Sequence, residues 1–196
     1  MTRRRAEFVR ANARGRILDV GSGPGQLAQQ LDRPLMVLAD ISFKILKVSR
    51  QRSGQTDLVV CDAEYLPFSE CAFDTVIGSE VIYYLSDPSR FLKGVARVLR
   101  VRGQIILLWG NKLYNVFYWF AGMVGLRPMD PYGSSTPSSR TVRQMLLAEL
   151  SFTDVDQYGV GFPLSSKSTI AMIARYFSPV HAVVSQIVSP LQVCNE

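Results

Sequence analysis

The stretch "RILDVGSGPGQLAQQL", Arg16 to Leu31, limits the possible folds of this chain more than any other. Its opening residues are mostly apolar, glycines then alternate at Gly21, Gly23 and Gly25, and a helix-like pattern comes next. A short apolar run closed by glycines reads as a buried strand, so the stretch predicts strand, glycine loop and helix. In an open α/β sheet a ligand sits beyond the carboxyl ends of the strands, which makes this loop the candidate site. Glycine there allows unusual backbone angles and close approach by a ligand.

The rest of the chain continues the rhythm. Strands are expected at Arg16–Val20, Leu35–Ala39, Asp57–Cys61, Phe73–Ser79, Gln104–Trp109, Phe152–Gly159 and Val180–Val188. Helices are expected at Gln26–Leu31, from Ser42 to about Arg52, after the Asp87-Pro88 cap, after a capping box at Thr141 and Gln144, and at Ser168–Tyr176. The helix after Asp87 is expected to run until Arg102-Gly103 breaks it. Strands alternating with helices imply βαβ units and a mostly parallel sheet. Right-handed crossovers then place helices on both faces. The expected class is α/β, a three-layer α/β/α Rossmann-like fold with a mostly parallel, seven-stranded sheet.

At 196 residues the chain suits one domain, residues 1–196. No window reaches the ~18 apolar residues needed to span a bilayer, and the basic N-terminus lacks the apolar core of a secretory signal. Cys61, Cys71 and Cys194 are odd in number and lack metal-ligand spacing, so they read as free thiols in a reducing, cytoplasmic setting. Net charge is +6, and Arg3, Arg4, Arg5, Arg10, Arg14 and Arg16 crowd the N-terminus. A basic helix at about 1–14 is expected there. It is either an arm for phosphate or anionic membrane, or a solvated helix with Phe8 and Val9 packed inward. A short charge run is usually a solvated face, which favours the second.

A dinucleotide site would need a small residue at the third position of G-x-G-x-x-G/A, where this chain has Gln26. Ile17 to Gly25, an apolar strand with Asp19 before G-x-G-x-G, instead resembles the first motif of class I S-adenosylmethionine-dependent methyltransferases, in their small-molecule, type 11-like branch. Further matches come in order. "VLADIS" carries Asp40, nineteen residues after Gly21; "VVCDAEYLPF" carries Asp62 and Ala63; "FDTVIGSEVIYYL" resembles the fourth motif and carries Ser79; "FLKGVARVLRVRGQIIL" resembles the family's next helix and strand.

The resemblance implies S-adenosyl-L-methionine as cofactor, with S-adenosyl-L-homocysteine as product. It implies that Gly21, Gly23, Gly25 and Ser79 line the cofactor, and that Asp19 helps hold the loop and the ammonium group. Asp40 would accept hydrogen bonds from both ribose hydroxyls. Ile41 would pack on adenine, and Asp62 with the backbone of Ala63 would bind its amino group. Each carboxylate also has a structural alternative: Asp19 as a cap for the next helix, Asp40 as an N-cap for the helix from Ser42, Asp62 as a turn brace. Asp74 reads as structural because it precedes the strand interior.

The pattern departs from the family at Val101-Arg102-Gly103-Gln104, where Pro-Gly-Gly is frequent, and at Tyr83-Tyr84, where many relatives carry a histidine. Gly78-Ser79-Glu80-Val81 lacks the prolines of nucleic-acid amine methylation, and neither Cys61 nor Cys71 has a motif for cytosine chemistry. A small-molecule acceptor is therefore expected, with nucleic acid disfavoured, and a lipophilic one would reconcile the pocket and membrane-interface readings of the aromatic segment from Tyr114 to Phe120. The alternatives are an RNA methyltransferase using the arginine arm and a non-catalytic S-adenosylmethionine-binding module. A lid-like insertion is expected at about 110–140, where Tyr114, Phe117, Tyr118, Trp119 and Phe120 would line an acceptor pocket, fill the core or touch a membrane interface. Tyr84 is the expected acceptor-side residue. His181 reads as a surface or packing residue.

Overall fold

The computed structural model describes residues 2–31, 35–53, 56–110, 138–148, 152–160 and 180–187. Most of the expected lid with its aromatics, the helix expected at Ser168–Tyr176, and Cys194 lie outside the described residues.

The chain forms α1 (Thr2–Asn12), β1 (Ile17–Val20), α2 (Gln26–Leu31), β2 (Met36–Asp40), α3 (Phe43–Ser53), β3 (Asp57–Val60), β4 (Phe73–Ser79), α4 (Pro88–Val98), β5 (Leu99–Gly110), α5 (Ser139–Ala148), β6 (Phe152–Val160) and β7 (Val180–Ile187). The strands make one seven-stranded sheet in the order β3-β2-β1-β4-β5-β7-β6. The pairs among β1 to β5 are parallel. Strand β7 runs antiparallel to both β5 and β6. The mostly parallel, doubly covered sheet expected from the alternation is therefore present.

Strand alternation feeds two cores. Leu18, Val20, Val76 and Ile105 pack on one face against Phe91, Leu92, Val95 and Val98 of α4 and Val142 and Leu146 of α5. Ile17, Leu38, Ile77 and Ile106 pack on the other against Ala6 and Val9 of α1, Leu27 and Leu31 of α2, and Leu46 of α3. A strand buried on both faces needs apolar residues at nearly every position, which β1 and β2 supply.

Local chemistry moves three features from their expected places. Helix α4 begins as expected, with Asp87 accepting the Arg90 N–H at 3.0 Å and Pro88 in its first turn. It stops at Val98, before Arg102-Gly103, because Leu99 is already extended and pairs with Phe73. The cap of α5 is Ser138 rather than the expected box at Thr141: its Oγ accepts the Thr141 N–H at 3.1 Å. Cys61 is a free thiol but Cys71 is disulfide-bonded, so three free thiols is not the arrangement found.

Helix α1 takes the packed form. Ala6 and Val9 are buried and Phe8 partly so. Arg3 pairs with Glu7 and Arg5 with Glu80, Arg10 donates to the Gln30 carbonyl, Arg14 donates to the Arg102 carbonyl at 2.5 Å, and Arg16 lies over the Phe73 ring. These arginines hold the protein to itself.

The sheet order places the site. The chain leaves β1 towards β2 and β3, then crosses to β4 on the other side of β1. At such a switch point the connections diverge and leave a crevice beyond the strand ends. Here that point lies between the ends of β1 and β4.

Candidate functional site

The three glycines have different physical reasons. All adopt positive φ, near 68°, 55° and 71° for Gly21, Gly23 and Gly25. A Cβ on Gly21 would lie 2.9 Å from Val81 Cγ2, and one on Gly25 would lie 2.3 Å from Ser49 Oγ. Both are bare because protein packs there, on the loop after β4 and on α3. A Cβ on Gly23 would meet nothing within 4 Å. Of the three, only the middle glycine faces open space.

Asp40 closes β2 and aims back at this loop. Its Oδ2 accepts the Gly23 N–H at 2.9 Å, and its Oδ1 accepts the Ser42 N–H at 2.9 Å. One carboxylate thus ties two strand-end loops together while each oxygen keeps a free lone pair. The N-cap of α3 is Ser42, whose Oγ accepts the Ile45 N–H at 3.3 Å. Ile41 stands between them with 71% of its surface exposed.

Asp19 is the most unusual charge among the described residues. It is 1% exposed and sits between Leu38 of β2 and Ile77 of β4, both fully buried. Neither of its carboxylate oxygens has a hydrogen-bond partner among the described residues. Burial, reinforced by the Asp40 charge, pushes its pKa up to about 8. The capping role considered for Asp19 is not realised. Ser22 Oγ, in the loop just above, is likewise buried and unpartnered. Buried polar groups are normally satisfied, so each exception calls for a reason.

The third strand end is more self-contained. Asp62 is exposed, and its Oδ1 accepts the Glu64 N–H at 2.9 Å, so it does brace a turn. Ala63 packs at the edge of the core. Glu64 then spans two loops, accepting the Ser86 N–H at 2.5 Å and the Asp87 N–H at 2.9 Å. Leu66 is buried, and Arg97 donates to the Leu66 and Phe68 carbonyls at 2.7 and 2.6 Å. Cys61 beside Asp62 has its thiol pushed up to about 11 by burial, then by Asp62 and Asp40. It stays protonated near neutral pH and is a poor nucleophile.

Strand β4 supplies the other wall. Ser79 ends it, half-buried and paired with Leu108. Glu80 comes next with φ near 62°, and its N–H donates to the Leu108 carbonyl at 2.8 Å. Its carboxylate meets the Arg5 guanidinium from α1. Tyr83 accepts the Gly110 N–H on its hydroxyl. Burial first, then the Glu80 charge, holds the Tyr83 phenol well above its usual range. Tyr84 is 63% exposed and lies edge-on to the Tyr83 ring, with centroids 6.4 Å apart. Asp74 lies at the opposite end of β4, ion-paired to Arg100 at 3.1 Å, in the structural role expected of it. His181 occupies a position in β7 opposite Trp109.

The structure thus places Asp19, Gly21, Gly23, Gly25, Asp40, Ile41 and Ser79 at the carboxyl ends of β1, β2 and β4, with Asp62 and Ala63 at the next strand end along. Three participants escaped sequence reasoning. Ser22 carries no signal beyond its place between glycines. Ser49 lies in the middle of α3. Arg5 is 75 residues from its partner Glu80. S-adenosylmethionine would ask for negative charge near its ammonium, acceptors for two ribose hydroxyls, an apolar face for adenine and bare backbone between. The unpartnered Asp19, the free lone pairs of Asp40, the exposed Ile41 and the open Gly23 fit those demands.

A model of the methyltransferase domain matches residues 18–107. The chain is 31% identical over 111 residues to the ubiquinone/menaquinone biosynthesis C-methyltransferase UbiE of Cellvibrio japonicus, covering 51% of this chain and 45% of that protein. It is 34% identical over 104 residues to the human mitochondrial arginine-hydroxylase NDUFAF5, covering 50% of this chain and 30% of that protein. The chain spans less than half the length of either relative. A solved SAM-dependent methyltransferase of Thermotoga maritima superposes with a TM-score of 0.67 at 17% identity, covering 96% of this chain and 88% of that one, which shows a shared fold. The family model begins at Leu18, within β1, and ends at Leu107, within β5, so the stretch that is similar to a methyltransferase domain encloses the glycine loop and all three strand-end carboxylates.

Proposed function

We propose that this chain transfers a methyl group from S-adenosylmethionine to a small, lipophilic molecule. The observation that carries the reading is the unpartnered, buried Asp19 carboxylate beneath a glycine loop whose middle residue alone faces open space. Nothing in the packing of the described residues accounts for that combination.

The cofactor, when bound, supplies an electrophilic methyl on a sulfonium. The contributions of this chain are binding and alignment. Asp40 would accept the ribose hydroxyls on the lone pairs that Gly23 and Ser42 leave free. Ile41 would cover adenine and lose its exposure to water. Asp19, once ionised, would balance the ammonium group. Asp62 and the Ala63 backbone would meet the adenine edge, and Ser79 would line the wall opposite Asp40. Tyr84 would lie on the acceptor side. In-line displacement at a methyl group gains most from orientation, so a site without an assigned base is chemically adequate.

The acceptor class rests on three supports. The β4 loop, Gly78-Ser79-Glu80-Val81, lacks the prolines of nucleic-acid amine methylation. Cys61 is protonated rather than nucleophilic. Arg5, Arg10, Arg14 and Arg16 of the N-terminal arginines each contact the protein itself. UbiE, named a ubiquinone/menaquinone biosynthesis C-methyltransferase, is one relative whose name agrees with a lipophilic acceptor. A second reading, a chain that binds the cofactor without transferring methyl, gains support from the relative named a hydroxylase.

Calorimetry with S-adenosylmethionine and S-adenosylhomocysteine tests the site, and Asp40→Ala is expected to weaken binding about a hundredfold. Incubation with methyl-labelled cofactor and cell extract, separated into lipid, small-molecule and RNA fractions, tests the activity. Label in the lipid or small-molecule fraction is expected. Label in RNA alone overturns the acceptor, binding without any label supports the second reading, and no heat with either ligand removes the function.

A further inference from the structure

Helix α3 presents to solvent a set of side chains that neither the core nor the proposed reaction uses. Lys44, Lys47, Arg50 and Arg52 are all exposed. The helix contains no acidic residue, and no carboxylate pairs with any of the four among the described residues. Among the described side chains of this helix, Leu46 and Ser49 are the buried ones. Between the cations stand Phe43, 59% exposed, with Ile45 and Val48. The Lys47 ammonium lies 4.8 Å from the centre of the Phe43 ring. The neighbouring edge strand extends the patch. Leu58 packs with the α3 side of the sheet, so Val60, two residues on, shares that face and is half exposed.

We infer that this face of α3 and β3 docks onto the surface of an anionic lipid bilayer. Four uncompensated cations on one short helix give a surface attraction that sums over the charges. The apolar side chains decide the partner. At a 100° step, Phe43, Lys47 and Arg50 share one flank, and Ile45, Val48 and Arg52 share the other. Each flank thus pairs apolar bulk with a long basic stem. Lying flat in the interface, such a helix buries its apolar groups at the headgroup boundary while the lysine and arginine heads stay among phosphates. Nucleic acid would satisfy the cations and leave Phe43, Val48 and Val60 in water. The helix also starts three residues after Asp40, so docking would bring the crevice mouth to the membrane. The inference does not depend on methyl transfer, and its test does not read activity.

The full chain is mixed with phosphatidylcholine vesicles, with and without phosphatidylserine, and sedimented. Binding is expected only with the anionic lipid and is expected to weaken as salt rises. Replacing Lys44→Gln together with Lys47→Gln should weaken it roughly 25-fold, about fivefold for each cation near the surface. Phe43→Ser should weaken it about tenfold without moving the thermal midpoint, since the ring is exposed. Arg3→Gln with Arg4→Gln on α1 is the control and should change binding little. Equal binding to neutral vesicles, no binding to anionic ones, or a loss that tracks the α1 control rather than α3 overturns the inference. So does RNA binding that the α3 substitutions abolish while vesicles are ignored.

Discussion

Two aspartates on neighbouring strands divide the molecule. Asp74, at the amino end of β4, accepts the Arg16 N–H at 2.8 Å, pairs with Arg100 and packs against Gly15. Around it Thr75 exchanges hydrogen bonds with the Arg14 backbone at 2.9 and 3.0 Å, and Gln104 donates to the Asn12 carbonyl at 2.5 Å. Asp19, at the carboxyl end of β1, is more deeply buried and has no partner among the described residues. One end of the sheet satisfies its own polar groups and the other holds them in reserve. A buried polar group without a partner costs about 1–3 kcal/mol. A ligand that partnered Asp19 would relieve such a cost, so the contrast between the ends sets a self-satisfied scaffold against the candidate site.

The sharpest way to break this contrast is to swap the readouts of the two ends. Asp40→Ala is expected to weaken S-adenosylhomocysteine binding about a hundredfold, two charge-assisted hydrogen bonds at about 1.5 kcal/mol each. Asp74→Ala should leave that affinity within about twofold while costing about 1–2 kcal/mol in urea unfolding, its ion pair being partly screened. Calorimetry and denaturation on both variants decide, and a binding loss at Asp74 as large as at Asp40 dissolves the distinction.

Within the glycine loop the same contrast is finer. Gly25→Ala should cost more stability than the ~1–2 kcal/mol of left-handed strain alone, because its Cβ runs into Ser49. Gly23→Ala carries the same strain and no clash, so its excess effect should appear in ligand affinity, by roughly tenfold. Thermal melts with and without S-adenosylhomocysteine separate the two. Equal behaviour at both positions argues that neither faces a ligand.

The Asp19 carboxyl predicts a dependence on pH with a definite sign. Its native pKa, about 8, lies above its ordinary value of 3.8. The group therefore favours the ligand-free fold at low pH, and that favour fades as pH rises from about 4 through about 8, at up to about 1.4 kcal/mol per pH unit. Asp19→Asn should flatten the decline in unfolding free energy across that window. In the unmodified chain, cofactor binding below pH 8 should release a proton, so affinity should rise with pH until about 8. Calorimetry in buffers of different ionisation enthalpy reads the proton directly, and no release at about pH 7 removes Asp19 from ammonium recognition.

The smallest effect belongs to the bridge between α1 and the β4 loop. Arg5→Gln frees Glu80 from its ion pair and loosens a residue held at positive φ. A rise in acceptor KM of a few-fold with cofactor affinity unchanged is expected, since Glu80 flanks the wall opposite Asp40. A larger loss of cofactor affinity would instead make Arg5 part of the cofactor pocket.

Much of the candidate site was legible in the sequence because its signals are local. Asp19, the glycines, Asp40 and Asp62 all lie at the ends of strands whose apolar runs are contiguous in sequence, and a strand end leading into glycine or a helix cap is a short-range pattern. The same locality misled at α5. Thr141 and Gln144 match a capping box, yet Ser138 reaches the free N–H first, and a box and a single cap differ only in backbone geometry. It misled again at Cys71, whose disulfide depends on which thiol the fold brings near.

By itself the sequence determined the alternation that builds a doubly covered sheet, the strand-end carboxylates and the positions at which side chains are forbidden, since each arises from periodicity or from backbone sterics within a few residues. Tertiary structure alone decided why those side chains are forbidden. Gly21 and Gly25 are bare for Val81 and Ser49, Gly23 faces open space and is constrained by its positive φ alone, and Asp19 lies between Leu38 and Ile77 with no partner among the described residues. Those neighbours come from different strands and helices, and the free energy of a buried charge or a bare backbone depends on what lies across the gap.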